Sequence, residues 1–175
     1  MQILHIQTLT IVHAVKLLEF ETQNRAWFES QIEARDASFY SLTGVKDHIE
    51  QILHEADRGK CRSYLVMNEQ NQIVARANLK EIDLELGSAE VGYRVGQDFI
   101  RQGVASMAVA HLSAVAQQEL GLMKLHAIVI EHNHGSQKVL RKAGFEIVKS
   151  VSAVAKIGSQ YFDGFHFYRS LKEGR

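Results

Sequence analysis

The segments EVGYRV (residues 90–95), RQGVAS (101–106), LMKLHAIV (122–129) and NHGSQKVLRKAGF (133–145) decide how this chain is read. Residues 89–95 alternate as a strand, with Ala89, Val91, Tyr93 and Val95 facing one way and Glu90, Gly92 and Arg94 the other. A polar loop then leads into a helix over 104–120. Its Val104, Met107, Ala108, His111, Leu112 and Val115 make the apolar stripe of a helix packed on a sheet. Lys124 to Ile130 reads as a second strand, and a short helix over about 135–142 ends before Gly144.

The junction Arg101-Gln102-Gly103-Val104-Ala105-Ser106 lies between the first strand and its helix. The first turn of a helix leaves about four backbone N–H groups without partners. Gly103 lets the chain come close to a ligand, and small Ala105 keeps the helix start uncovered. These donors and the positive end of the helix dipole suit a pyrophosphate, to which Arg101 can add a charge-assisted hydrogen bond. The sequence contains neither G-x-x-x-x-G-K-S/T nor G-x-G-x-x-G, so neither nucleotide-loop fingerprint applies.

Outward from this block, residues 3–13 suggest an edge strand. Residues 14–32 change to helical spacing through Leu17, Leu18, Phe20, Trp27 and Phe28, with Asn24 as a point of restart. A turn-like connection over 39–43 precedes a helix from Val45 to Asp57, ended by Arg58-Gly59. Strands over 62–67 and 73–79 flank the turn Asn68–Asn71, and a final strand pair covers 145–152 and 161–171. The order β-α-α-β-β-β-α-β-α-β-β describes one domain over 1–175, of mixed α/β (α+β) class, with helices covering a mostly antiparallel sheet.

Apolar residues make up 46% of the 175, which excludes a disordered chain. Lys plus Arg and Asp plus Glu number 20 each, so no surplus of positive charge points to nucleic acid or to a polybasic membrane contact. Cys61 is the single cysteine, which rules out an intrachain disulfide and fits a cytoplasmic location. The first residues lack a basic leader, and no apolar run approaches the ~20 residues needed to span a bilayer.

Taken together, A-E-V-G-Y-R-V, G-V-A-S, L-G-L-M-K-L-H-A-I-V and N-H-G-S-Q-K-V-L-R-K-A-G-F resemble the GNAT superfamily of N-acetyltransferases. Within it they look most like the branch containing the bacterial ribosomal-protein N-terminal acetyltransferases. The resemblance covers residues 89–146, and the aromatic strand from Tyr161 to Tyr168 matches the branch's usual end. It implies the acyl-CoA N-acyltransferase fold, with a sheet splayed open between strands 89–95 and 124–130 and acetyl-CoA, the cosubstrate, in the opening. The pyrophosphate would lie on the N–H groups of Gln102 to Ala105, within the 101–106 turn. The pantetheine would pair with the strand of Val91, Tyr93 and Val95. Asn133 matches a residue that holds the cofactor arm, and Ser136 a hydroxyl able to protonate the departing thiolate. Three positions depart from the family pattern: Ile100 at the start of the turn, Met107 where an acidic residue is common, and Leu140 where many members carry a tyrosine acid.

Amide formation needs a neutral amine, a polarised thioester carbonyl and a route for protons. Glu90, on the polar phase of the cofactor strand, is the first candidate base, against the plainer reading of a surface Glu or a partner of Arg94. Asp163 and His166 are rivals. Cys61 reads as a small buried hydrophobe. His132 and His134, even with His111, His126 and His166, do not make a closed zinc pattern, so no metal is expected. Trp27, Phe28, Phe39 and Tyr40 either fill the core or line the acceptor groove. Arg25, Arg35 and Arg58 form no stripe that would forecast an acidic acceptor.

A peptide α-amine of pKa near 7.8 is partly neutral at pH 7.5, whereas a lysine near 10.4 is neutral in about one molecule in a thousand. A site with no strong base therefore favours a protein or peptide N-terminus as acceptor. One alternative is a small amine such as a polyamine or aminoglycoside, for which Glu81, Asp83 and Glu85 could supply acidic groups. Another is a non-catalytic acyl-CoA-binding regulatory domain. The sequence leaves the oligomeric state open, homo-oligomers included.

Overall fold

The computed structural model describes residues 3–172. Seven strands form one sheet: β1 (Leu4–Thr8), β2 (Arg62–Asn68), β3 (Ile73–Asp83), β4 (Ser88–Val95), β5 (Lys124–Ile130), β6 (Glu146–Ile157) and β7 (Gln160–Ser170). Their spatial order is β1-β2-β3-β4-β5-β7-β6. Every neighbouring pair is antiparallel except β4 and β5, which run parallel. That parallel ladder holds three register pairs, Ser88 with Lys124, Ala89 with Leu125 and Glu90 with His126, and then stops.

Five helices cover the two faces: α1 (Ala14–Gln23), α2 (Arg25–Glu29), α3 (Leu42–Asp57), α4 (Val104–Ala114) and α5 (His134–Lys142). The apolar run of β2 is buried on both sides. Tyr64 and Val66 join a core with Val104, Ala108 and Leu112 of α4, Leu140 of α5, and Val91, Leu125 and Ala127 of the central strands. Leu65 and Met67 join the opposite core with Leu17, Phe20, Phe28, Val45 and Ile49. The sheet is thus a middle layer between α1–α3 and α4–α5.

The elements over residues 89–145 follow the sequence closely, and the differences have local causes. The edge strand stops at Thr8, where buried Leu9 turns inward and its N–H bonds to the Ser63 carbonyl at 2.9 Å. A 3-10 turn over Ile11–His13 replaces the rest of the expected strand. The helix expected over 14–32 divides at Asn24. Its amide donates to the Phe20 carbonyl at 2.9 Å and accepts from the Gln97 backbone at 2.8 Å, so one side chain ends α1 and ties it to the loop after β4.

α3 starts at Leu42 because Ser41 caps it, accepting from Gly44 N–H at 3.0 Å. β3 continues to Asp83 through an irregularity after Lys80, with Glu81 at φ 49. α4 ends at Ala114 and passes into a π-helical turn over Val115–Glu119. β6 extends to Ile157 past an irregularity between Val151 and Ala155, where Asp163 accepts from the Ala153 N–H at 2.8 Å.

α1 is fastened to the sheet by a buried carboxylate. Glu21 receives Arg76 of β3 at 2.6 Å and Arg94 of β4 at 3.1 Å, with Arg35 at 3.9 Å. Burial alone would raise the Glu21 pKa, but attraction to Arg94, Arg76 and Arg35 together outweighs it and leaves the carboxyl below its ordinary value. Removing one partner of a buried pair typically costs about 3–5 kcal/mol, because the remaining charge stays desolvated. Glu21→Ala is expected to lose that order of stability in chemical denaturation at pH 7. The contribution belongs to the ionised form. It is full above the ordinary carboxylate range and fades as pH falls through the lower folded value. The gap between wild-type and Glu21→Ala stabilities should therefore narrow on acidification; a constant gap would contradict this assignment.

Candidate active site

Beyond Glu90 and His126 the two central strands carry no further register pairs, so their facing backbone groups are not consumed by a ladder. A cavity of about 610 Å³ opens there. Its wall includes Val91, Tyr93, Ala127, Val129, Ser136 and Leu140 from the α4–α5 face. It also includes Arg35, His48, Arg76, Glu90 and Arg94, so the opening passes through the sheet to the α1–α3 side.

On the α4–α5 face, Tyr93 and Ser136 are joined. Their hydroxyl oxygens lie 2.7 Å apart, and the phenol also donates to the Ser136 carbonyl at 3.3 Å. Burial pushes the Tyr93 phenol up to about 12, against a smaller opposing effect of the Ser136 hydrogen bond, so it is neutral at working pH. Asn133 caps α5, its carbonyl oxygen accepting the Ser136 N–H at 3.0 Å. That bond fixes where the Ser136 hydroxyl stands.

At the start of α4, Arg101 and Gly103 have φ of 60 and 81, and a Cβ added at Gly103 would meet open space. Gly103 caps the helix in the left-handed region, with no side-chain hydrogen bond to the first-turn N–H groups. Gln102 turns away, donating to the Asp98 carbonyl at 2.8 Å. Val104 is buried, and Ala105 and Ser106 are half-buried.

The cavity thus brings together Glu90, Val91, Tyr93, Asn133 and Ser136, whereas Val95 and the 101–106 turn lie outside its wall. The Val95 carbonyl already accepts from Trp27 Nε1 at 3.1 Å.

On the α1–α3 side, Glu90 pairs with Lys80, not Arg94, at 2.9 Å. Arg94 belongs to Glu21. His126, beside Glu90 in the register, lies 3.0 Å from His166, and burial first, then His166 and Lys124, lowers its pKa. His48 accepts from Arg76 at 3.0 Å; burial and the neighbouring Arg76 and Arg35 bring its pKa to about 3, which makes it a very weak base.

Cys61 also lines the wall, its thiol donating to the Ile52 carbonyl and its pKa raised by burial, the opposite of an activated nucleophile. Asp163 is engaged with the β6 irregularity. Phe28 and Phe39 are core residues, Trp27 and Tyr40 pack against that core, and none of the four lines the cavity. Glu81, Asp83 and Glu85 do not line it either. Among the described residues no group of three or more His, Cys, Asp or Glu is placed to hold a metal ion, and no helix is long and apolar enough to cross a membrane.

The family model of the acetyltransferase (GNAT) domain matches residues 4–146. The chain belongs to the GNAT family. It is an acetyl-CoA-dependent N-acetyltransferase, which sets aside the non-catalytic reading. A probable N-acetyltransferase of Bacillus subtilis (strain 168), YjcK, is 24% identical over 144 residues, covering 81% of this chain and 80% of the relative. The ribosomal-protein-S5-alanine acetyltransferase of Vibrio fischeri superposes with a TM-score of 0.92 at 17% identity, over 99% of this chain and 98% of its own. The spermidine N-acetyltransferase of Vibrio cholerae in complex with CoA and spermine superposes at 0.79 and 17% identity, over 96% and 95%. The splayed, mostly antiparallel sheet is the GNAT fold, as the sequence predicted. The acceptors named for these two structures are a protein and a polyamine.

A glutamate in the first turn of α4 favours the helix through the dipole, but its charge opposes a pyrophosphate. Ala105→Glu is therefore expected to keep its melting temperature while losing CoA affinity by about tenfold or more in calorimetric titration. Unchanged affinity in the folded variant would remove the turn from cofactor binding.

Proposed function

We propose that this GNAT enzyme acetylates a protein or peptide N-terminal α-amine. The reading is carried by one observation: the cavity joins the Tyr93–Ser136 pair on one face to a wall of Arg35, Arg76 and Arg94 on the other. Acetyl-CoA enters from the α4–α5 side. The N–H groups of residues 102–105 hold its pyrophosphate, and the backbone of Val91 and Tyr93 runs beside its pantetheine. Asn133 acts through its cap, holding the start of α5 and Ser136 against the cofactor arm.

The amine enters from the α1–α3 side. Its nitrogen attacks the thioester carbon, and a backbone N–H of β4 beyond Glu90 hydrogen-bonds the oxyanion as it forms. Collapse breaks the C–S bond and expels the CoA thiolate. The amine's proton passes to Glu90, directly or through water, while Lys80 holds Oε1 of that carboxylate.

The Tyr93–Ser136 pair acts on the leaving sulfur by hydrogen bonding. A thiol near 8.5 is a stronger acid than a phenol near 12, so full proton transfer would be uphill by about 5 kcal/mol. Ser136→Ala and Tyr93→Phe should each lower kcat by about ten- to a hundredfold with a smaller effect on CoA affinity, since the contact strengthens as charge builds on sulfur. A kcat equal to wild type, with chemistry limiting, would remove the pair from the mechanism.

The charge of the acceptor wall decides the amine class. Like charges lower the pKa of a nearby amine and so raise its neutral, nucleophilic fraction. An α-amine gains from this, whereas a polyamine brings further ammonium groups into the same field. With a peptide acceptor, the pH dependence of kcat should level off below the free α-amine's value of about 7.8, since that profile reports the bound complex. Mass spectrometry after incubation with acetyl-CoA, a mixture of free and N-blocked lysine peptides, and spermidine tests the acceptor. Acetyl groups on free α-amines are expected; modification of lysine in blocked peptides or preferential turnover of spermidine would overturn the reading.

A further inference from the structure

The arginine wall contains more positive charge than the described residues neutralise. Glu21 is a single carboxylate, yet Arg76, Arg94 and Arg35 converge on it at 2.6, 3.1 and 3.9 Å. The side chains of Arg76 and Glu21 are nearly inaccessible, at 3% and 1% exposure, and those of Arg94 and Arg35 are each 23% exposed. His48 beside them is neutral. The buried Nε atoms of Arg76 and Arg35 have no hydrogen-bond partner among the described residues.

Aromatic faces hold two of the cations in place, with Arg35 4.4 Å over Phe39 and Arg94 5.1 Å over Phe28. The other charges of the cavity do not restore balance. Lys80 and Glu90 pair with each other, and Glu33 is exposed to solvent, where its field is screened. Burying guanidinium groups in excess of their counter-charges is costly unless an anion arrives to share them.

We propose that Arg35, Arg76 and Arg94 form an acceptor subsite for a carboxylate, so that the preferred peptides carry Asp or Glu at their second or third residue. This rests on the peptide α-amine reading and specifies it. The register sets the distance. Gly92 opposite Asn78 is the first β4 residue on this face beyond the last β4–β5 rung, and Arg94 opposite Arg76 is the next. Two residues along a strand span about 6–7 Å. A peptide with its amine at the opening advances at most ~3.6 Å per residue, which brings a side chain at the second or third position to the arginines. The carboxylate of a free amino acid carries the same charge but lies too close to its own amine to span that distance.

The test uses the full chain with acetyl-CoA and peptides of one length and sequence, with Glu, Ala or Lys at positions two and three, beside free glutamate and spermidine. A charge-assisted contact of this kind should give the acidic peptide a kcat/KM about tenfold or more above the alanine peptide, with the lysine peptide lowest. In Arg35→Gln the ratio of acidic to alanine peptide should fall towards one, and Arg35→Lys should keep most of it. A merely structural loss would lower both peptides in proportion and leave the ratio intact, which would overturn the subsite. Equal turnover of all three peptides would also overturn it while leaving the α-amine reading standing. Turnover of free glutamate or spermidine with no peptide modified would remove both.

Discussion

The last rung between β4 and β5 joins Glu90 to His126, and what the molecule can do depends on the ladder ending there. A parallel pair continued to Val95 and Ile130 would have closed the sheet and used the backbone groups of both strands. Ending it early leaves polar backbone beside a cavity in the middle of a well-packed domain. The cost is tolerable because each strand is secured on its other edge. β4 is held antiparallel to β3 along nearly its full length, and β5 to β7 along all seven of its residues. The opening is therefore a fixed feature of the sheet and does not require a moving lid.

The two faces of that opening differ in chemistry because different helices cover them. The α4–α5 side is apolar apart from the paired hydroxyls of Tyr93 and Ser136, and the start of α4, whose first-turn N–H groups receive no side-chain cap, lies beyond the cavity wall. The α1–α3 side is polar and cationic; its arginines are held by Glu21 of α1, Phe28 of α2 and Phe39, and through Arg76 and Arg94 the first two also fasten α1 and α2 to the sheet. The proposed acceptor wall and part of the fold's stability thus share the same residues. On that proposal, acceptor choice is tied to the packing of the N-terminal third.

The sequence made the central fold legible because its signals there are local. Alternation over 89–95, a glycine before a helical stripe, and a short helix ending before Gly144 each act within a few residues, and β5 has the bounds read for it, whereas the capping of α5 by Asn133 was not read. The long-range pairings were not legible. Glu21, Arg35, Arg76 and Arg94 come from a helix, a loop and two strands, as far as 73 residues apart, and no spacing reveals such a cluster. Arg35 seen beside Arg25 and Arg58 gave no sign of it. The pairing of Glu90 with Lys80 follows from cross-strand register, and that of Tyr93 with Ser136 from the docking of α5. Asn24 was readable as a break in the helix, though not as a tether to Gln97.

The central claim is that cofactor and amine meet through the β4–β5 opening. A bisubstrate analogue, CoA joined through an acetyl linker to the α-amine of a peptide, measures this most directly by calorimetric titration against CoA alone. Simultaneous occupation of both faces should tighten binding by about a hundredfold or more, since the second contact becomes intramolecular. An analogue bound no more tightly than CoA would show that the acceptor face plays no part, and would contradict the account.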